Sequence, residues 1–292
     1  MNNAFRRANR RLSITDPISI KTTLLNASMN EALKANLDIN ITERETGRGV
    51  PLAPYSVYLD GIELTSGRCD KEGHAVEPLV LPTRKNEIDT YHGRRRLITA
   101  SSHHTVRWDN FNDNELDKKI WDTFSGTPAY YVGQAKTTEK NKRLEFLCSN
   151  TGYLAGVYTK SPIDLSDSRI RVRLYSDGFV VCALTILPST EPFYGASYNK
   201  GYDVMIWRDG LDKFIVYSGK LAFTKDTIRG NPETIEVVIE GDTIKFLEEG
   251  VQVYSEKYKP ASKLCNIRLW GQSWYHFRGG TSWVDDFLVV GG

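Results

Sequence analysis

The sequence predicts an all-β protein built from two tandem antiparallel β-sandwiches. Val, Ile, Tyr, Trp and Phe are plentiful along the chain, and these residue types favour strands over helices. Short stretches that alternate apolar and polar residues recur throughout, with turn residues such as Asp and Gly between them. A chain of 292 residues suits two domains of ordinary size, each of which can bury its own core.

Residues 1–11 form a basic arm that contains Arg6, Arg7, Arg10 and Arg11. The arm has no hydrophobic periodicity, so it needs a protein partner or its own domain to order it. No apolar stretch follows it, and we therefore expect no Sec signal peptide. The net charge of +2 becomes −2 when these four arginines are set aside, which argues against nucleic-acid binding by the folded part.

Residues 12–107 predict the first sandwich. Short strand-like stretches follow one another here, and Asp60-Gly61 between two of them is a strong signal for a two-residue hairpin turn. The stretches Val57–Gly61, Asp70–Gly73 and Tyr91–Val106 resemble immunoglobulin-like modules of prokaryotic surface proteins. The resemblance implies an immunoglobulin-like β-sandwich that lacks the Cys…Trp…Cys pattern of antibody domains.

Residues 108–292 predict the second sandwich. Its opening segment, Trp108–Asp117, and its final strand, Trp283–Val290, are expected to lie side by side as the first and last strands of one unit. Many short strands follow one another between these two segments. The one helix candidate of this region is a short stretch at Glu115–Trp121.

Four motifs of this second region resemble the concanavalin A-like lectin/glucanase superfamily, which includes laminin-G-like domains. In chain order they are Asp109–Asp113, Ser161–Ser166, the three-strand meander Thr234–Val253, and Val284–Phe287. The resemblance implies a jelly-roll sandwich. Members bind glycans or proteins, or hydrolyse polysaccharides, so the resemblance alone does not choose an activity.

The sequence shows no catalytic signature. Hydrolytic members of the superfamily carry E-x-D-x-x-E or a near variant on one strand, and this chain has no such triplet. Glu236 and Glu240 share a strand face, but a rise of about 3.3 Å per residue puts them roughly 13 Å apart. Glycoside hydrolysis needs a separation of about 5–10 Å. We therefore expect a protein that is not an enzyme, although carboxylates from separate strands escape this test.

Two aromatic loops supply the candidate ligand-binding residues. Exposed Trp and Tyr offer flat apolar faces with a polar edge, which suits sugar rings and also suits protein interfaces. The same residues can instead complete the core of the sandwich, and the sequence leaves these three alternatives open. The candidates are Trp270, Gln272, Trp274, Tyr275, Arg278, Tyr194 and Tyr198.

Asp109, Asp113 and Asp117 offer clustered carboxylate oxygens of the kind that calcium prefers. The alternative is turn chemistry, since Asp is common where a chain enters a strand. Calcium is therefore a candidate ligand. No other cofactor is expected, because the spacing of the histidines and cysteines matches no zinc pattern.

None of the four cysteines forms a C-x-x-C pair, so a metal ribbon or a thioredoxin-like site is not expected. Cys148 and Cys265 alternate with apolar residues, as buried core thiols do. A single disulfide within the second domain is the other interpretation, and it needs an oxidising compartment. No apolar run approaches the roughly 18 residues of a membrane-spanning helix.

These features predict a non-enzymatic attachment protein that is displayed outside the cell or on a virion surface. A virion spike, turret or fibre component fits them. Its arm would dock on a protein lattice or a homo-oligomer, and its jelly roll would contact a host glycan or a receptor protein. The alternatives are a secreted glycan-binding module and a glycoside hydrolase or lyase whose carboxylates come from separate strands.

Overall fold

The computed structural model confirms an all-β protein. Among the residues that it describes there is no helix long and apolar enough to cross a membrane. The basic arm, with Arg6, Arg7, Arg10 and Arg11, lies outside these residues. The structure describes residues 18–29, 32–82, 85–94, 97–126, 135–148, 154–176, 180–188, 204–209, 213–218, 220–226, 231–260, 262–273 and 281–291.

The described residues form 22 strands, numbered in chain order. The first seven are β1 (Ile18–Met29), β2 (Leu33–Glu43), β3 (Pro54–Leu59), β4 (Ile62–Arg68), β5 (His74–Leu81), β6 (Lys85–Arg94) and β7 (Leu97–Asp109). The next eight are β8 (Trp121–Gly126), β9 (Ala135–Lys140), β10 (Arg143–Cys148), β11 (Leu154–Thr159), β12 (Ile163–Asp164), β13 (Arg169–Ser176), β14 (Val180–Pro188) and β15 (Val204–Asp209). The last seven are β16 (Lys213–Ser218), β17 (Lys220–Asp226), β18 (Glu233–Glu240), β19 (Thr243–Glu248), β20 (Val251–Lys257), β21 (Leu264–Ser273) and β22 (Thr281–Gly291).

The chain divides into two compact units. The change from the first unit to the second falls inside β7, between His103 and His104. The predicted domain boundary, between residues 107 and 108, lies four residues later in the same strand. The first unit comprises the described part of Met1–Ser28, Lys34–Val80 and Glu87–His103. The second comprises Met29–Leu33, Leu81–Asn86 and His104–Gly292. Nothing in the sequence pattern marks the two early segments of the second unit.

Within the first unit the strands pair in the orders β1-β2-β5 and β7-β6-β3-β4, where β7 contributes residues 97–103. Every second side chain of β2 is buried, and Leu37, Ile39 and Ile41 are fully inaccessible, as the sequence alternation predicts. The predicted hairpin joins β3 and β4. Asp60 and Gly61 there have φ angles of 50° and 79°, the left-handed values that a type I′ turn requires. An immunoglobulin-like topology for this unit stays a prediction.

The second unit contains two larger sheets, called sheet 1 and sheet 2 below. Sheet 1 has the order β20-β19-β18-β13-β22-β7, where β7 contributes residues 104–109, and β10 pairs with both β22 and β9. Sheet 2 has the order β17-β16-β15-β14-β21-β11-β8, and β12 pairs with β21. The described registers of both sheets are antiparallel. Two antiparallel sheets with a shared core form the sandwich that the sequence predicts here.

The core of the second unit lies between sheet 1 and sheet 2. Along β13 of sheet 1, half-buried and buried side chains alternate, so one face of the sheet forms a wall of the core. β14, near the middle of sheet 2, is buried on both faces, so the outer side of sheet 2 is also packed. The largest core side chains with less than 2% exposure are Trp121, Phe111, Phe146, Phe246 and Phe287.

The opening and closing segments of this unit lie side by side, as the sequence predicts. β22 pairs with β7, and Phe287 stands opposite Asp109. The ring of Trp121 lies 6.0 Å from that of Phe111 and 4.8 Å from that of Phe287, measured between centroids. Residues from both ends of the domain therefore share one core.

The short helix predicted at Glu115–Trp121 does not form. The backbone N–H groups of Ile120 and Trp121 donate hydrogen bonds to the carbonyl of Asp117, which makes a single turn. The chain then enters β8 at Trp121, whose partner in the sheet is Thr159. Burial of the Trp121 ring in the core ends the turn there, because a further helical turn would pull the ring away from the sheet.

Candidate functional site

The outer face of sheet 2, opposite its core-facing side, carries two rows of residues that cross its strands. Residues directly opposite one another in an antiparallel pair share a face. The strand neighbours Val157, Leu184, Ile206 and Leu269 belong to the core, which places both rows outside it. The first row is Phe124, Gly156, Trp270, Ala183 and Trp207. The second row is Asp122, Tyr158, Arg268 and Thr185.

Large and small residues alternate along the first row. Trp207 and Trp270 form an apolar cluster with neighbouring aliphatic residues, and Phe124 packs against it. Gly156 lies between Phe124 and Trp270. A Cβ atom at Gly156 would approach Phe124 Cζ and Trp270 Cβ to 2.6 Å and the carbonyl oxygen of Leu269 to 2.5 Å. Only glycine lets the two rings close over this position.

The second row places hydrogen-bonding groups beside these rings. Tyr158 Oη donates to Asp122 Oδ2 at 3.2 Å, and the guanidinium carbon of Arg268 lies 6.0 Å from the centre of the Phe124 ring. Burial raises the pKa of Tyr158, and the Asp122 carboxylate raises it further. The phenol therefore keeps its proton and acts as a hydrogen-bond donor at neutral pH.

Solvent exposure increases along the rows toward the edge strand β8. Trp207 and Trp270 are only 4% and 5% exposed. Trp270 Nε1 donates to Thr185 Oγ1 at 2.8 Å, so the polar edge of this indole is already occupied. Phe124 and Tyr158, in contrast, are half-buried and keep part of each ring open to solvent.

The open end of the two rows is called the aromatic patch, and it comprises Asp122, Phe124, Tyr158 and Arg268. Its two rings have centroids 6.4 Å apart and are tilted by 46°. Asp122 is exposed, and Arg268 is 8% exposed. The patch can pack apolar ring surface against a ligand while a carboxylate, a phenol and a guanidinium exchange hydrogen bonds with it.

Two of the predicted ligand-binding residues, Trp270 and Gln272, lie on this outer face. Both are buried, with 5% and 4% exposure. Trp270 is therefore a packed residue, as the core alternative predicts, and it lies on the buried side of the aromatic patch. The other candidates lie outside the described residues, and their roles stay predictions. They are Trp274, Tyr275, Arg278, Tyr194 and Tyr198.

Sequence reasoning missed Phe124, Tyr158 and Arg268 as candidates. Tyr158 and Arg268 each follow a buried apolar residue in their strands, which is a signal that they face away from the core. That signal does not show that the three residues meet. Only the register of β8, β11 and β21 brings them together.

Asp109, Asp113 and Asp117, the predicted calcium ligands, each serve a turn. Each Oδ1 accepts a hydrogen bond from the backbone N–H two residues later, at 3.0, 3.2 and 2.8 Å respectively. Within the described ranges, no three His, Cys, Asp or Glu side chains are grouped so that they could hold a metal ion. Turn chemistry therefore explains this pattern, and calcium binding stays a prediction.

No family model matches this chain, and no curated protein matches it. Solved structures do match its fold. A laminarinase from Flavobacterium sp. UMI-01 matches with 16% identity over 63% of this chain and 98% of its own, at a TM-score of 0.47. The carbohydrate recognition domain of Emp47p matches with 16% identity over 64% and 94%, at 0.46. SCLam, a non-specific endo-β-1,3(4)-glucanase from family GH16, matches with 11% identity over 63% and 91%, at 0.49.

These likenesses concern the arrangement of strands alone. At these identities and at TM-scores below 0.5, they assign neither an activity nor a ligand to this chain. The prediction that the chain is not an enzyme is corrected: solved structures with a similar arrangement of strands include a laminarinase and an endo-glucanase, so it does not stand. The missing triplet on one strand does not exclude hydrolysis by carboxylates from different strands, so that prediction is withdrawn.

Proposed function

We propose that this chain is a glycan-binding protein and that the aromatic patch of sheet 2 holds the glycan. The observation that carries the proposal is the half-open pair of rings, Phe124 and Tyr158, with a guanidinium and a carboxylate beside them. Sugar rings have apolar C–H faces and a rim of hydroxyl groups. Phe124 and Tyr158 match the faces, while Arg268 and Asp122 match the hydroxyl rim.

The charges of the patch favour an uncharged glycan. Arg268 and Asp122 carry opposite charges, so the patch as a whole is neutral. The exposed carboxylate is the more accessible of the two, because Arg268 is largely buried beside Phe124. The Asp122 carboxylate accepts hydrogen bonds from sugar hydroxyls and repels uronate or sulfate groups. Neutral hexose chains are therefore the expected ligand class.

Contact with a receptor protein through the same patch is the second candidate. Tyrosine and arginine also dominate the energetics of protein interfaces, and both flank the partly exposed Phe124. Both proposals imply an extracellular location. Display on a virion or a cell surface, within a protein lattice or a homo-oligomer, stays a prediction, since the arm on which it rests lies outside the described residues.

A glycan array screened with the full chain, followed by titration calorimetry with the best ligand, tests the glycan proposal. Phe124→Ala removes the apolar face and is expected to weaken binding at least tenfold. Tyr158→Phe keeps the ring and removes its hydroxyl group, and a loss of about threefold is expected. Tyr58→Ala is the matched control, because it removes a half-buried tyrosine from the first unit.

The control should bind the glycan as the unaltered protein does. A chain that binds no glycan on the array contradicts the proposal. So does a Phe124→Ala variant that melts at the same temperature as the unaltered protein and binds equally well. If the unaltered protein captures one defined receptor protein and Phe124→Ala does not, the second candidate is favoured instead.

A further inference from the structure

An acidic cleft of about 820 Å³ opens in the second unit where β18 begins and β19 ends. Val251 and Val253 give it an apolar wall. Four carboxylates and two basic side chains share its lining, so its net charge is negative. The charged residues are Arg173, Lys225, Asp226, Glu233, Glu248 and Glu249.

Glu233 is a buried carboxylate of this cleft, and one of its oxygens, Oε2, lacks a hydrogen-bond donor within the described residues. Ile235 stands opposite Glu248, so Glu233 and Glu248 lie on the same face of the β18–β19 pair. Glu233 is 8% exposed, and its Oε2 accepts no hydrogen bond within the described part of the chain. Arg208 Nε forms an ion pair with this oxygen at 3.6 Å, which is beyond hydrogen-bond distance. A ligand that donates a hydrogen bond to Glu233 would therefore relieve a cost of folding.

Glu248 shows which chemical group this environment accepts. Lys225 Nζ donates a hydrogen bond to Glu248 Oε2, so a primary ammonium group already binds one of the two neighbouring carboxylates. Arg208 does not serve Glu233 in the same way, because its Nη1 donates to the carbonyl of Asn231. A divalent metal ion fits poorly, since Lys225 and Arg208 would repel it twice as strongly as a single charge.

We propose that this cleft binds a primary ammonium group of a ligand through the carboxylate of Glu233. The ammonium would donate to Glu233 as Lys225 donates to Glu248, and the carbon skeleton of the ligand would contact Val251 and Val253. An amino sugar and a lysine side chain both supply this group. The cleft shares no residue with the aromatic patch, so the inference goes beyond the proposed function and does not depend on it.

The test is an NMR titration of the full, isotope-labelled chain at pH 7 with two amines. D-glucosamine represents the amino sugar, and Nα-acetyl-lysine methylamide represents the lysine side chain. Their N-acetylated forms, N-acetylglucosamine and Nα,Nε-diacetyl-lysine methylamide, keep the shape and lose the charge. Saturable shifts of the Glu233 and Glu248 amides with at least one amine, and affinity at least tenfold weaker for its acetylated form, are the expected result.

Glu233→Gln should weaken amine binding at least tenfold. Glu240→Gln is the matched control, because this exposed glutamate lies on the same strand and pairs with Lys245 outside the cleft. Phe124→Ala should leave amine binding intact, which separates this inference from the proposed function. Binding of glucosamine alone identifies a sugar source, and binding of the lysine analogue alone identifies a peptide source. Shifts with neither amine, or equal binding of the acetylated forms, overturn the proposal.

A pH titration tests the same site without any substitution. Burial raises the pKa of Glu233 to about 6, while Arg208 and Lys225 oppose the rise and Glu248 and Glu249 add to it. Acidification from pH 7 to pH 5 protonates the carboxylate but never removes charge from the amine. Amine affinity should therefore fall about tenfold between these values, and constant affinity across this range contradicts binding through Glu233.

Discussion

Asp109 Oδ2 accepts a hydrogen bond from the indole Nε1 of Trp121 at 3.0 Å, inside the core of the second unit. The same carboxylate accepts the backbone N–H of Phe111 through Oδ1. Asp109 ends β7, and Trp121 begins β8, so this pair fixes the chain at its passage from sheet 1 to sheet 2. Asp109 is fully inaccessible, and a buried carboxylate persists only when its oxygens are satisfied.

Trp121→Phe tests this relationship. The substitution keeps an aromatic ring against Phe287 but leaves Asp109 Oδ2 without the indole donor. We expect the free energy of unfolding to fall by about 2–3 kcal/mol, as for a buried charged acceptor that loses one of its donors. Urea denaturation followed by circular dichroism measures it. Asp117→Asn, which keeps its turn hydrogen bond, should change stability by less than about 0.5 kcal/mol. Equal effects of the two changes contradict the prediction.

Gly156→Ala should damage the aromatic patch as well as the fold. The new methyl group would collide with the Leu269 carbonyl and the Trp270 Cβ, neither of which can move freely. A loss of roughly 1–3 kcal/mol is expected, together with weaker glycan binding because Phe124 is displaced. Gly241→Ala is the control, since its φ of +56° costs stability far from the patch and nothing meets its Cβ. Intact glycan affinity in Gly156→Ala would show that the patch does not hold the ligand.

Asp285→Asn should stabilise the protein at pH 7.5 and leave it unchanged at pH 4. The pKa of Asp285 is raised to about 6, mainly by burial; the charges of Asp286 and Asp109 contribute to this rise, whereas Arg173 opposes it. The unfolded chain titrates near pH 4. The native state therefore binds the proton more tightly between about pH 4 and pH 6, and stability falls as the pH rises through that window.

The gain from Asp285→Asn at pH 7.5 should be roughly 1 kcal/mol, since partial solvent contact reduces the full effect. Thermal melts across pH 4–8 measure it. Burial also raises the pKa of Glu233 to about 6. In the Asp285→Asn variant, stability should therefore still fall as the pH rises, but less steeply. A difference in melting temperature between Asp285→Asn and the unaltered protein that stays constant from pH 4 to pH 8 contradicts the assignment.

The cysteines should behave as inert thiols. All four are buried and free, which confirms the core interpretation over a disulfide. Burial raises the pKa of Cys148 and Cys182 to about 12 and that of Cys69 to about 11. The native protein should react with a thiol reagent at least a hundredfold more slowly than the urea-unfolded chain, and reductant should not shift the melting temperature. A reductant-sensitive melt would indicate a disulfide.

Local pattern was enough to predict much of the fold. The alternation at Leu37, Ile39 and Ile41 predicts a half-buried strand, and Asp60-Gly61 predicts a hairpin, because both signals depend on neighbouring residues only. The pairing of the final strand with the opening segment was also predictable, through the resemblance of their motifs. The helix at Glu115–Trp121 was wrong because a distant core, not local propensity, decides where Trp121 lies.

The candidate site could not be read in the same way. Phe124, Gly156 and Trp270 are far apart in the sequence, and each looks like an ordinary strand residue. They meet because β8, β11 and β21 pair in one particular register. Glu233 and Glu248 likewise come from different strands, so a search for carboxylates on one strand passes over them.

The amino-acid sequence by itself determined that this chain is all-β, where most strands run and which side chains alternate inward, since these depend on period-two patterning and turn chemistry. Tertiary structure alone decided which outward residues become neighbours and which of them stay open to solvent. The physical reason is that strand register is set by packing across the whole sandwich, where a shift of one residue would turn every buried side chain outward.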